Sequence, residues 1–284
     1  MASAMLSGPE DLTDREQAAV EALLFPLADE EFVIAERYIE WQVLSPTLES
    51  DLALSNIAQD ELGHARLWYD LLQDFGYTES ELLFERDPSD FTHAAFVELP
   101  FAEGDWADAI VRGYLYDVAE QLRLEALEGT SYPRIADRIG KVLGEESYHR
   151  EHAQNWLERL CDDTDGREQV QSAVDRLFPY ALALFEPLDA DSERDIVDLG
   201  IRTESLADLR EQWLGITVPF LESLGVEIPV PPTETDASTL PDQYGRHSDH
   251  TEHWSALHDD LTRTYRELGR TGTHRIMSDP DDAE

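Results

Sequence analysis

Cysteine and lysine are almost missing from this chain. Cys161 is the single cysteine among 284 residues, so no intrachain disulfide can form and a cysteine-based zinc site is excluded. Lys141 is the single lysine among 21 basic residues. No apolar run approaches the roughly 18 residues that a membrane-spanning helix needs, so no membrane partner is expected. Met1 to Glu16 carries no basic segment followed by an apolar one, so a secretory signal is not expected and a cytoplasmic address fits.

Acid is present in excess. The chain has 62 Asp and Glu against 21 Lys and Arg, a net charge of −41. The acids are spread along the whole length, which fits a solvated surface adapted to molar salt, where screening shrinks the Debye length to about 3 Å. An acidic face for a basic partner is the other reading of the same charge. Direct nucleic-acid binding is disfavoured by the lack of any basic stripe to neutralise phosphates. Hydrophobic residues make up 42% of the chain, enough for a sizeable core.

Apolar periodicity near 3.6 residues predicts an all-α protein. Residues 14 to 43 read as a helix with Glu31, Ile34, Ala35, Tyr38 and Trp41 on one face, ended by Ser45-Pro46-Thr47. A second helix runs from about Glu49 to Phe75 and stops at Gly76. Residues 77 to 104, with Pro88, Pro100 and Gly104, read as a long connection holding at most one short helix or strand. Further helices are predicted over about Asp105–Leu127, Tyr132–Leu160, Arg167–Phe185, Leu206–Leu224 and Thr251–Leu268. The stretch 226–246 reads as a loop. The expected organisation is one domain over 1–270, with a core bundle at about 14–162, appended helices at about 166–268, and a disordered tail at 271–284. Four long helices with one long crossover describe a ferritin-like four-helix bundle with additional C-terminal helices.

Two Glu-x-x-His motifs stand out, Glu61-Leu62-Gly63-His64 and Glu146-Ser147-Tyr148-His149. Positions i and i+3 share a helix face, so each motif can present a carboxylate and an imidazole to one metal. One such motif in an acidic chain is weak. The pair is duplicated with context: Glu31 lies 30 positions before Glu61, and Asp117 lies 29 positions before Glu146. Antiparallel helices with short loops put such positions at similar height. Buried acids need partners, and two cations would supply them. The expected metal ligands are therefore Glu31, Glu61, His64, Asp117, Glu146 and His149, an oxygen-rich set with one histidine per metal that suits iron or manganese. Glu30, Glu36, Glu120 and Glu145 are alternative ligands, and Asp60 is a candidate acceptor for a histidine N–H. The opposing expectation is that these residues are surface ion pairs on amphipathic helices. His247, His250 and His253 form a second cluster that would bind a metal if helical, or else cap and pack a helix.

The run Pro46-Thr47-Leu48 through Asp51-Leu52-Ala53-Leu54-Ser55-Asn56-Ile57-Ala58-Gln59-Asp60-Glu61-Leu62-Gly63-His64 resembles the ferritin-like subunits of bacterial phenylacetyl-CoA epoxidase, the PaaA/PaaC family. Glu145 to His149, Asn155 to Leu160 and His250-Thr251-Glu252-His253 carry the same resemblance, the later features looking most like the PaaC member. In that family PaaA holds a di-iron site, and its ligand pattern falls on the six residues named above. The PaaC of well-known complexes is a structural partner that has lost most of them. This chain looks like a PaaC yet keeps all six, so a catalytic and a scaffolding role both stay open.

The resemblance implies a multicomponent oxygenase. Phenylacetyl-CoA, O2 and two electrons give the ring 1,2-epoxide and water, in aerobic phenylacetate degradation. The implied cofactor is a carboxylate-bridged pair of iron ions. Electrons would come from NADPH through a separate flavin and iron–sulfur reductase. This chain has neither a cysteine cluster nor a clear glycine-rich dinucleotide motif, so it is not that reductase. The implied partners are a second ferritin-like subunit, the reductase and the acyl-CoA, in a hetero-oligomer. Iron storage or peroxide handling on the same scaffold is a third reading, disfavoured by the extra helices after residue 165. Arg37, Arg66 and Arg123 are read as surface ion pairs by default.

Overall fold

The first long helix, α1 (Asp14–Trp41), begins with a reciprocal cap: Glu16 N donates to Thr13 Oγ1 at 3.4 Å, and Thr13 N donates to the Glu16 carboxylate at 2.8 Å. A cap of this kind is worth about 1 kcal/mol. The computed structural model describes residues 5–6, 8–101, 106–229 and 240–269. Every residue from Leu27 to Ala35 is buried, so this part of α1 is enclosed on all sides and includes three acids, Asp29, Glu30 and Glu31. A 3-10 turn and Pro46 follow. Then α2 (Leu48–Gln73) starts at Thr47, whose hydroxyl accepts from Ser50 N at 3.1 Å. Gly76, at φ +98°, turns the chain away in a conformation that L side chains rarely adopt.

The crossover holds a π-turn at Glu81–Glu85, a 3-10 turn at Pro88–Asp90 and one short helix, α3 (Ala95–Glu98). Buried polar groups of α1 and α2 stitch it down. Asp29 accepts from Tyr69 Oη at 2.6 Å, from Thr92 N at 2.8 Å and from Arg86, and Glu30 accepts from Ala94 N at 3.1 Å. The chain then returns as α4 (Trp106–Glu125) and α5 (Pro133–Cys161), the latter with proline at its first position, where its missing N–H costs nothing. Helix α1 packs on α2, α4 packs on α5, and α2 meets α5. This is the all-α, ferritin-like arrangement expected from the periodicity.

Four more helices follow: α6 (Thr164–Ala181), α7 (Ala190–Asp198), α8 (Leu206–Ser223) and α9 (Glu252–Glu267). Helices α6 and α8 pack on α4, α7 on α1, and α9 on the crossover. Helix α7 is not expected from sequence, because only Ile196 of its nine residues is buried and no apolar stripe marks it. The expected loop at 226–246 is irregular where it is described; residues 230–239, the tail from 270 onward and the predicted helix start at Asp105 lie outside the described residues. Among the described residues no strand occurs beyond isolated bridges, and no helix is long and apolar enough to cross a membrane.

Candidate metal centre

Six side chains from four helices meet inside the bundle. Glu31 comes from α1, Glu61 and His64 from α2, Asp117 from α4, and Glu146 and His149 from α5; all six are buried. The expectation of surface ion pairs is therefore overturned. These helices are amphipathic, but the face carrying these residues points inward. His64 Nδ1 lies 3.6 Å from Glu31, 3.9 Å from Glu61 and 3.4 Å from Glu146. His149 Nδ1 lies 3.5 Å from Glu61 and 3.4 Å from Glu146. The two imidazole centroids are 6.3 Å apart.

The donor atoms fall into two overlapping groups, Glu31/Glu61/His64 and Glu61/Asp117/His149, each within 4.8 Å. Glu61 belongs to both, with one oxygen toward each histidine, and one oxygen of Glu146 faces both Nδ1 atoms. Sequence spacing assigns one Glu-x-x-His to each half. Instead, the structure sets both motif carboxylates between the halves and the Glu31 and Asp117 carboxylates to the sides.

Hydrogen-bond accounting tests whether the residues fit a metal pair. Both oxygens of Glu31, Glu61 and Glu146, one of Asp117 and the Nδ1 of both histidines are buried without a hydrogen-bond partner. Burying so many unpaired carboxylates costs several kcal/mol unless cations or protons fill the space. The outer nitrogens are satisfied: His64 Nε2 donates to Glu145 at 2.8 Å and His149 Nε2 donates to Asp60 at 3.3 Å. With Nε2 as the outward donor in each ring, the nitrogen that gives up its proton to a metal is the inward Nδ1, as a metal ligand requires. The residues fit the implied pair.

Electrostatics give the same picture. Burial, then repulsion from Glu61 and Glu120, raises the Glu31 carboxyl well above its usual range; burial and Glu146 do the same to Asp117. Burial would lower both imidazoles, but Glu146, Glu61 and their other acceptors raise His64 to about 9 and His149 to about 12. Burial would also raise Glu146, yet the facing imidazoles of His149 and His64 hold it down at about 2. Protons take the places where positive charge is needed.

The alternative ligands have other partners. Glu30 pairs with Arg123 and with Arg246, the latter at 2.6 Å. Glu120, buried beside Glu31, pairs with Arg123. Glu36 is half-buried on α1. Two surface-pair expectations fail: Arg123 is 4% exposed and Arg37 is 5% exposed, because each reaches inward to acceptors on other elements, Arg37 donating to Glu98 O at 2.9 Å. Arg66 is exposed. The histidine cluster comes apart because residues 247–250 are not helical: His247 sits in a tight turn at φ 56°, while His250 points to His93 and Glu98. Nothing local in the sequence marks His93. A small, largely apolar cavity lined by Tyr38, Ile57, Trp106 and Gly113 borders Asp117 and His149.

Residues 4–270 match the family described as phenylacetic acid catabolic protein, PaaA_PaaC. The chain belongs to that family. Within it, the chain is similar to the C-type subunit of 1,2-phenylacetyl-CoA epoxidase from Escherichia coli (strain K12), at 33% identity over 66% of this chain and 75% of that protein. It is also similar to the A-type subunit of the same epoxidase, at 27% identity over 70% of this chain and 65% of that protein. This PaaA/PaaC-family chain is thus a relative of two components of one enzyme complex.

Proposed function

We propose that this chain is the oxygenase component of a phenylacetyl-CoA epoxidase, and that Glu31, Glu61, His64, Asp117, Glu146 and His149 hold its two iron ions. The observation that carries the reading is the orphaned set of inward-facing oxygens and nitrogens, enclosed in a bundle where nothing else among the described residues satisfies them. Four carboxylates balance the charge of two divalent ions, and one imidazole for each is the donor set that suits iron. When bound, the metal pair supplies the activation of dioxygen by two electrons.

The chain's own residues bind, orient and exclude water. Asp60 and Glu145 hold the imidazoles with their lone pairs inward. Buried side chains beside the ligands, such as Tyr38 near Asp117 and Glu61 and Tyr116 near Glu31, keep bulk water from the centre. The small cavity past Trp106 and Gly113 is largely apolar and borders Asp117 and His149, which favours approach of an arene from that side. In this reading the partners are a second ferritin-like subunit, a reductase delivering electrons from NADPH, and the acyl-CoA, in a hetero-oligomer in the cytoplasm.

A second reading keeps the complex and removes the turnover. Identity to the C-type relative exceeds identity to the A-type relative, which favours a component that scaffolds a catalytic homologue. One set of measurements separates the two. Protein purified without oxygen is assayed for iron and for optical absorption, then for acyl-CoA-stimulated oxygen uptake with reductase and NADPH. The oxygenase reading expects about two irons per chain, lost in the His64→Ala/His149→Ala protein, and oxygen uptake that depends on acyl-CoA. Iron content unchanged by the double substitution rejects the ligand assignment. Iron without acyl-CoA-dependent uptake supports the scaffold.

A further inference from the structure

A second group of metal-type donors lies away from the bundle centre, under the C-terminal segment. His93 lies in the crossover, Glu98 ends α3, and His250 precedes Thr251, the cap of α9. Glu98 and His93 are fully buried, and the His250 side chain is 6% exposed. His93 Nε2 and His250 Nδ1 each lie 2.8 Å from the same atom, Glu98 Oε2. The three donor atoms fall within 4.8 Å of one another. None of the three is a candidate ligand of the bundle centre.

The convergence of three buried donor atoms is what points to a cation, and the outer contact of His250 orients its ring toward it. Its Nε2 lies 2.8 Å from Phe91 O, a carbonyl that can only accept, so Nε2 carries hydrogen. In the neutral ring, Nδ1 is then a lone pair, and it faces a carboxylate oxygen that is also an acceptor. At 2.8 Å the two are joined either by a proton on Nδ1, in the charged ring, or by a cation that both ligate. A backbone carbonyl that orients a histidine for a metal on its other nitrogen is the usual outer partner of such a ligand. Glu98 is also held in place, since its other oxygen accepts from Thr251 N at 2.6 Å. Burial pushes the Glu98 carboxyl up, but His250 and His93 hold it down at about 2, so the carboxylate stays available. Arg37, which donates to the Glu98 backbone carbonyl, carries its own counter-charge in Glu40 at 2.9 Å. Trp254 and Phe91 wall the cluster, the His93 and Trp254 rings lying 4.6 Å apart.

We propose that His93, Glu98 and His250 form a second metal site, which takes one zinc-class divalent cation and clips the C-terminal segment onto the crossover. Two imidazoles and a carboxylate are a donor set that zinc accepts, with a fourth position for water. The ion would join positions 93 and 98 to position 250, far apart in the chain, and so fasten α9 in place.

The test uses the full chain crystallised with Zn2+, with anomalous diffraction recorded on both sides of the zinc edge. A peak about 2.0–2.2 Å from His93 Nε2, Glu98 Oε2 and His250 Nδ1 is expected. It is expected again in the His64→Ala/His149→Ala protein, whatever becomes of the bundle centre. Absence of a peak at the cluster, with or without zinc in the bundle, overturns the proposal and leaves a hydrogen-bonded histidine–glutamate clasp. In solution, the wild-type protein should retain one more zinc per chain through dialysis than the near-isosteric Glu98→Gln variant. Equal zinc content in the two folded proteins also overturns it.

Discussion

His64 Nε2 donates to Glu145 at 2.8 Å, and Glu145 is the residue just before Glu146 of the opposite motif. The relation is reciprocal, since His149 Nε2 donates to Asp60, the residue just before Glu61. Each Glu-x-x-His helix thus supplies the outer acceptor for the other helix's histidine. The imidazoles are locked only when α2 and α5 are correctly in register. Glu145→Gln and Asp60→Asn should each weaken iron binding by about 10–100-fold, the usual effect of losing an outer partner. Glu145→Gln should cost more, because that contact is shorter and its carboxylate is less exposed, 31% against 36%. Chelator competition on the iron-loaded protein reads both; unchanged affinity in both variants would remove the outer acceptors from the account.

Arg123 is the counter-ion for two buried acids, Glu30 and Glu120, and Glu120 in turn lies against Glu31. Arg123→Met should cost about 3–5 kcal/mol, because it strands the buried Glu120 carboxylate, while Glu30 keeps only Arg246 as counter-ion. Chemical denaturation of the metal-free protein measures it. Arg66→Met, at an exposed position on α2, should fall within about 0.5 kcal/mol and serves as the control.

The long helices were legible because their apolar residues recur at helical spacing and their ends carry strong signals, such as Ser45-Pro46-Thr47 after α1 and Gly76 after α2. The convergence of the six acids and histidines was legible for a related reason, since a duplicated i, i+3 motif and equal offsets constrain position in three dimensions. Arg123 and Arg37 were misread because a long charged residue on a helix has the same local signature whether its head reaches water or a buried carboxylate. His93 was invisible for a different reason. Its partners are Glu98 nearby and His250 far along the chain, and only the path of the crossover brings His250 to it. Helix α7 carries too little apolar surface to announce itself.

Glu36 makes the stability of the protein pH-dependent. Burial, with repulsion from Glu40, raises its carboxyl to about 7, against 4.5 for the free group. The folded state therefore binds more protons than the unfolded state between these two values. Stability contributed at this position falls as pH rises from about 4.5 to about 7 and is flat above that. Glu36→Gln should remove this residue's share of the slope, stabilising the protein at pH 8 by about 1–3 kcal/mol and leaving it unchanged near pH 4. Parallel unfolding curves at the two pH values, in one fixed high salt concentration, decide the matter. A gain of equal size at both pH values would assign the effect to something other than the carboxylate.

Gly245 is where the C-terminal segment crosses close over the backbone of His93 to Ala95. Its φ is +94°, and a Cβ there would lie 2.4 Å from both Ala95 N and His93 O. The approach serves a hydrogen bond, Ala95 N donating to Tyr244 O at 2.8 Å. Gly245→Ala combines a strained backbone conformation with a backbone collision, so the segment must lift. The expected cost is at least about 2 kcal/mol, with faster proteolysis at α9 and little change in iron content. Protection of α9 equal to wild type would show that the close crossing does not hold the segment down.

Gly113 lies on the wall of the cavity that borders the proposed iron pair. A Cβ at this position would sit 3.6 Å from Tyr38 Oη and 3.8 Å from Asp117 Oδ2, ordinary contact distances. Gly113→Ala therefore fits, and on an α4 interior position it should even gain up to about 1 kcal/mol of helix stability. A larger side chain would extend beyond that Cβ among the residues that line the cavity. Gly113→Leu should keep two irons per chain and fold, yet reduce acyl-CoA-stimulated oxygen uptake by tenfold or more, about 1.4 kcal/mol or greater at the transition state. The comparison of Ala with Leu separates blocked access from a damaged metal centre, because iron content reports the second directly. If Leu retains full uptake, the arene reaches the centre by another route.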